Sequence, residues 1–388
     1  MIEAEPKAQQ NSANDTSAHS RPRMRQRLMR DGAFLGGVAL VCLLVALILT
    51  QIGSAPARKT VSATPTANSG IAQTAKVREY KVAPDAGLMQ PSVDPAGNVW
   101  VGEMGTNHLT RIDAGSGAVT SWTPPGGQYN IMATTADKQG NIWFTEQAAN
   151  YIGRFDPRAQ KFTTYPLGSA NGVGMGPQDL RFDASGNLWF TLLTGGRIGR
   201  LDPASGAIQT WPVPAPQASA KSYPFALALT PDGQVWFGML TGGAVGRLDP
   251  ASGKVTLMRL ADDKAAIFSM ASDSAGNIWF TEMQTGKLGR VDAKSGQVSE
   301  IDVPKALGNP STLYAVATAS NGEVWFASAG TNALIRYTPQ TQAFRLFVLP
   351  TPASVPYGVA FDSAGKLWFS ADGQPANYIG VLSPALQG

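Results

Sequence analysis

Seven copies of one short pattern recur along the chain: GNVWVGE, GNIWFTE, GNLWFTL, GQVWFGM, GNIWFTE, GEVWFAS and GKLWFSA. Their tryptophans are Trp100, Trp143, Trp189, Trp236, Trp279, Trp325 and Trp368, spaced 43, 46, 47, 43, 46 and 43 residues apart. A period in the forties, with short alternating strands and regular turn signals, is the mark of a β-propeller, whose units bury their faces only against neighbouring units. Seven units predict seven blades.

Each unit parses into four antiparallel strands. In the third, DLRFD is a short inner strand, ASGN a turn, NLWFTL the second strand, RIGRLD the third, and AIQTWPV the outer strand. DPASG closes the last hairpin, with Pro203 fixing φ and Gly206 free to take φ > 0. The last unit stops at IGVLSPALQG and lacks an outer strand. KVREYKVAP, at residues 76–84, resembles the outer strands KFTTYPL and AFRLFVLP. Residues 77–83 are therefore expected to complete blade 7 and close the ring, removing an edge that invites aggregation. A monomer is expected. Cys42 is the sole cysteine, so no intrachain disulfide is available, and core size with chain closure must hold the domain together.

The stretch GNIWFTEQAANYIGRFDP could pass for a catalytic cluster, with an acid, an arginine and a second acid at tight spacing. Repetition argues otherwise. Arg154/Asp156, Arg200/Asp202, Arg247/Asp249 and Arg290/Asp292 recur around the ring, each pair on one strand face. They are read as pairing and turn support, and the tryptophans as plates packed between blades.

Charge is distributed unevenly. Residues 1–78 hold 10 Lys+Arg against 4 Asp+Glu, whereas residues 79–388 hold 21 against 23. The folded body has no basic surplus to track a phosphate backbone, so no nucleic-acid partner is expected. The surplus is concentrated in RPRMRQRLMR, followed by the uncharged GAFLGGVALVCLLVALILT from Gly32 to Thr50. About 20 apolar residues span the hydrocarbon layer, and preceding arginines orient the chain N-terminus inward. Residues 32–52 are expected to be a transmembrane anchor, residues 1–31 a disordered cytoplasmic head, residues 53–76 a Ser/Thr/Ala/Pro-rich tether, and residues 77–388 a propeller outside the cytoplasm. A cleaved signal peptide ending near Ala55-Pro56-Ala57 is the rival; its apolar core and head would be unusually long. Cys42 lies mid-span, a poor context for lipid attachment.

Function should lie where the repeats differ. The start of each inner strand and the end of each second strand lie at one face of the ring. Eleven residues before the tryptophans stand Met89, Met132, Gln178, Phe225, Phe268, Tyr314 and Tyr357. Three after them stand Glu103, Glu146, Leu192, Met239, Glu282, Ser328 and Ala371, with Asp372 one further. The expected mouth is an aromatic and sulfur-rich cup with acids from blades 1, 2, 5 and 7. It would serve as a ligand site, or as a plug with the acids solvating a rim.

The pattern G-N-[IL]-W-F-T-E…[IL]-G-R at this spacing resembles the streptogramin (virginiamycin B) lyases over about residues 77–388. That resemblance implies a seven-bladed propeller that opens the antibiotic's lactone ring by elimination, with magnesium assisting and with histidines and glutamates at the channel mouth. In blade 6 the family has a histidine after a proline at the inner-strand start, where this chain has Leu313-Tyr314. In blade 7 the family has Glu-Pro-His, against Val355-Pro356-Tyr357 here. Asp372 alone keeps the kind of acid expected after the seventh W-F, and is the one candidate catalytic residue. His19 lies in the head and His108 on a blade 1 strand. A phenol with a pKa near 10 is a poor base at neutral pH.

The reading is a membrane-anchored propeller that binds a small molecule, glycan or protein at its mouth. Phe225, Phe268, Tyr314 and Tyr357 would form apolar walls, and Gln178, Glu103, Glu146, Glu282 and Asp372 polar or ion contacts. No cofactor is required, with magnesium or calcium as an option. A carbon–oxygen lyase and a metal-assisted lactone hydrolase remain the alternatives. No nucleophile motif, phosphate-binding glycine loop or Cys/His cluster is present.

Overall fold

Seven four-stranded antiparallel sheets follow one another along the chain. A computed structural model describes residues 72–383, except 127–129, 171, 219–220, 309–311 and 374–376. The head, the apolar run at 32–52 and the tether up to residue 71 lie outside the described residues. Among the described residues no helix is long and apolar enough to cross a membrane.

Blade 3 shows the plan. Its strands are Pro177–Phe182, Leu188–Leu192, Arg197–Leu201 and Ile208–Pro212, paired in order from the channel outward. Between Pro177 and Leu180 the register shifts, and equivalent shifts occur at the starts of the inner strands of blades 2, 4, 5, 6 and 7. Blade 1 is reduced at this point to a single bridge, Leu88 to Glu103, and a two-residue strand, Ser92–Val93.

Blade 7 takes its inner three strands, Pro356–Phe361, Leu367–Asp372 and Asn377–Leu382, from the end of the chain. The fourth is Arg78–Lys81, antiparallel to the third, with Tyr80 opposite Ile379. Residues 72–76 were expected to be tether. Instead Ala72–Thr74 adds a fifth, parallel strand to blade 6, alongside Leu346, Phe347 and Val348. Only three residues join, too few to leave a periodic signal in the sequence.

The repeated motif builds a clamp around each tryptophan. In blade 2, Asp137 Oδ1 accepts from the Gln139 and Asn141 amides, while Oδ2 accepts from Asn141 Nδ2 (2.8 Å) and Trp143 Nε1 (3.0 Å). Asp94, Asp183, Asp273 and Asp362 hold Trp100, Trp189, Trp279 and Trp368 in the same way. One aspartate thus closes the turn and satisfies a buried indole donor. The R-x-D arginines lie over the tryptophans, with Arg154 5.8 Å from the Trp143 ring and Arg290 5.6 Å from Trp279. An outer-strand aromatic stacks on several of the indoles, as Tyr165 does on Trp143 (5.3 Å) and Trp211 on Trp189 (5.2 Å). The R-x-D aspartates accept from turn amides, as Asp156 does from Arg158 and Ala159. The acid–arginine cluster of the motif is architecture.

In five blades the phenylalanine after the tryptophan has its own device. Phe144, Phe190, Phe237, Phe280 and Phe369 are fully buried, each against a third-strand glycine: Gly153, Gly199, Gly246, Gly289 and Gly380. A Cβ on any of these glycines would fall inside the ring. Here glycine is required for close approach rather than for backbone freedom.

Candidate functional site

The inner strands bring four aromatic side chains together at one end of the channel. Phe268 is central, with its ring centroid 5.1 Å from Phe225, 4.9 Å from Tyr314 and 5.2 Å from Tyr357. Tyr314 and Tyr357 are 4.8 Å apart. Phe225 and Phe268 are buried, and the two tyrosines half-buried. Met89, Met132 and Gln178 continue the circle around a small cavity of about 30 Å³. Gln178 Oε1 accepts from Gln147 Nε2 (2.7 Å), so its amide is committed within the ring. The expected aromatic cup exists, and its floor is closed.

The backbone leading into both tyrosines is unusual. Thr312 has φ 75° and Val355 φ 47°, each two residues before a tyrosine. β-branched residues rarely enter this region, and such strain persists only where the surrounding structure enforces it. Ala353, with φ 53°, lies on the same blade 7 approach. These turns set where Tyr314 and Tyr357 enter the mouth.

Three of the four expected mouth acids are elsewhere. Glu103, Glu146 and Glu282 are at the expected end, paired in register with Leu88, Ile131 and Ile267. They are nonetheless only 1%, 1% and 0% exposed, enclosed between blades rather than facing the channel or solvating a rim. The reason is geometric: a second strand is flanked by adjacent blades on both faces, and only the inner strand borders the pore. Glu103 accepts from Thr110 Oγ1 (2.5 Å) and Thr106, and lies 3.2 Å from His108 Nδ1, which gives that histidine a local structural partner. Glu282 bonds Thr285 through one oxygen, and its other oxygen is buried without a partner. Neither oxygen of Glu146 has a well-formed hydrogen bond, and the Ala149 amide is the one group that pulls against its burial.

Asp372, the last residue of the blade 7 second strand, does reach the mouth. Its Oδ1 accepts from the Leu88 amide (3.2 Å). With its amide turned to satisfy both neighbours, Asn377 also donates to that oxygen (2.9 Å). Burial raises the Asp372 pKa, against the pull of the Leu88 and Gly87 amides. Burial, then the Asp372 charge, raises the Tyr314 phenol. Burial, then Tyr314 and Asp372, pushes Tyr357 well above the ordinary phenol value. Raised in this way, both phenols are poor bases at neutral pH, the opposite of what proton abstraction needs.

Among the described residues no group of three or more His, Cys, Asp or Glu side chains is placed to hold a metal ion. The dispersal of Glu103, Glu146 and Glu282 between blades accounts for this. The mouth does not fit the magnesium that the family resemblance implies. One charged pair escaped the sequence reading: Asp179 and Arg181, joined at 2.6 Å on the blade 3 inner strand. Their signal was present, because the other blades carry uncharged residues at both positions.

The enclosed glutamates make stability pH-dependent. Burial raises Glu146 to about 8 and Glu282 to about 7. Between the unfolded value near 4.5 and these native values, the folded state binds more protons, so stability falls as pH rises. Loss for Glu146 is expected on the order of 3 kcal/mol between about pH 5.5 and pH 9. Thermal melts should show a lower midpoint at the higher pH. Glu146→Gln, neutral at both, should remove most of the difference. A flat wild-type profile over this window would show that the carboxyl is not held protonated.

The sequence from residue 75 to 379 matches the model of the virginiamycin B lyase family. No curated protein matches the sequence. Among solved structures, a streptogramin B lyase is 30% identical, with a TM-score of 0.71 over 79% of this chain and 97% of its own. A virginiamycin B lyase from Staphylococcus aureus is 26% identical, with a TM-score of 0.71 over 79% of this chain and 99% of its own. A catalytically inactive form of the S. aureus enzyme with quinupristin is also 26% identical, with a TM-score of 0.70 over the same shares. The repeat, the ring and these matches agree: this chain belongs to the virginiamycin B lyase family.

Proposed function

We propose that this protein is a binding propeller, held at the outer face of the membrane by residues 32–52, that takes an amphipathic ligand at the channel mouth. The observation that carries this reading is the cluster of Tyr314, Tyr357 and Asp372 over Phe268 and Phe225. The aromatic floor suits an apolar ring or alkyl face, and two protonated phenols suit ligand carbonyls. Asp372 would accept from a ligand N–H or attract a cation. A small molecule, a glycan end or a protein loop could present these groups.

The family relationship supports a second reading, a carbon–oxygen lyase that opens a lactone ring. It would require Asp372 to take the proton without imidazole help. A B-type streptogramin, added with magnesium to the full-length chain, separates the two. Saturable binding of the intact antibiotic, lost in Tyr357→Ala, with no linear product, is the result expected here. A linear product that disappears on Asp372→Asn would establish the lyase instead. Product that survives this change but is lost with EDTA would favour a metal-assisted hydrolase.

A further inference from the structure

Beyond the aromatic floor the channel widens into a second cavity of about 360 Å³, bordered by the inner strands of all seven blades. This volume is within the range of roughly 300–1,000 Å³ typical of small-molecule sites. Its lining is mostly small, and Arg181 is the single charged residue among the described residues that line it.

The repeat shows how unusual that arginine is. Eight residues before the tryptophan, the other blades carry Ser92, Thr135, Ala228, Ala271, Ala317 and Ala360. Ten before, opposite Asp179, they carry Gln90, Ala133, Ala226, Ser269, Ala315 and Gly358. A structural duty for the pair can be identified: Asp179 Oδ2 accepts from the Leu227 amide of blade 4 (2.9 Å). Ser269 does the same for Val316 of blade 6 with a neutral hydroxyl (3.1 Å). Bridging two blades therefore needs no charge, and placing an ion pair here costs desolvation that a serine avoids. Arg181 Nη1 bonds Asp179 (2.6 Å) and the Leu180 carbonyl (2.7 Å). Among the described residues no hydrogen bond engages its Nε and Nη2 donors.

We infer that this end of the channel binds a small oxyanion, a carboxylate or phosphate group, on the Nε–Nη2 edge of Arg181. Asp179 orients the guanidinium from behind, and the planar fork matches two oxygens of the ligand. None of the mouth aromatics borders this cavity, which shares only Gln90 with the smaller cavity beneath them.

Calorimetric titration of the full-length chain with sodium benzoate and, separately, inorganic phosphate at constant ionic strength tests this. One saturable site for at least one anion is expected, and the anion that binds identifies the class. Asp179→Ser with Arg181→Ala copies blade 5, avoids stranding a buried carboxylate, and should weaken binding at least about tenfold. Arg181→Lys keeps the charge, removes the fork, and should also weaken it. No saturable binding of either anion to the wild type overturns the inference. So does undiminished binding in the double variant, or in Arg181→Lys should the double variant not fold.

Discussion

Deleting residues 72–82 is expected to lower the melting midpoint by about 10 °C or more and to expose a sticky sheet edge. The segment is latch rather than tether. Arg78–Lys81 supplies the outer ladder of blade 7, and Tyr80 stacks on Trp368 at 5.7 Å, as Tyr165 stacks on Trp143. Glu79 accepts from Thr351 Oγ1 (2.6 Å), tying the latch to the loop before the seventh inner strand. A few net hydrogen bonds at about 1 kcal/mol each, with burial of one tyrosine at about 2 kcal/mol, give on the order of 5 kcal/mol. Without disulfides, nothing covalent holds the two ends of the ring together. Calorimetry and size-exclusion chromatography are the measurements, with deletion of 72–76 as the milder comparison, since that removes only the parallel strand on blade 6. A midpoint within about 2 °C of the intact chain would show that the ring closes without its latch.

Gly289→Val is the second large effect expected, a loss of about 3 kcal/mol or more. A side chain at 289 would enter the ring of Phe280, which is fully buried between blades and has no free space to retreat into. The chain itself indicates the remedy. Blade 1 has Val101 opposite Thr110, where blade 5 has Phe280 opposite Gly289. Phe280→Val combined with Gly289→Thr should therefore recover much of the loss in denaturant melts. Blade 6 places Ile335 opposite Phe326, so a blade built throughout for both can hold them. If Gly289→Val melts like the wild type, blade 5 relaxes as easily as blade 6, and the close ring contact is not a stability determinant.

The borrowed strand was legible because Tyr80 stands where an outer-strand aromatic belongs, and a missing strand at one end of a repeat must come from the other. The Asp–Trp clamp was only half legible. The turn residues announced themselves, but nothing in GNIWF reveals that the aspartate six residues before the tryptophan accepts from its indole. The mouth aromatics were found by counting, since inner strands border the pore and the repeat fixes their starts. The same counting misplaced Glu103, Glu146 and Glu282. Position along a strand says which end of the ring a residue occupies, not which of two faces its side chain takes.

By itself, the sequence determined the seven blades, their four-stranded plan, the closing strand and the aromatic residues that start four of the inner strands. Each of these is periodic, or a departure from a period, and so is readable in one dimension. Tertiary structure alone decided that the glutamates are sealed between blades, that the Asp372 charge lies near enough to raise the Tyr314 and Tyr357 phenols, and that Arg181 faces a cavity. Those facts depend on how neighbouring sheets lie against one another, which sets burial and hence charge. No local pattern records the distance between side chains that come from different blades.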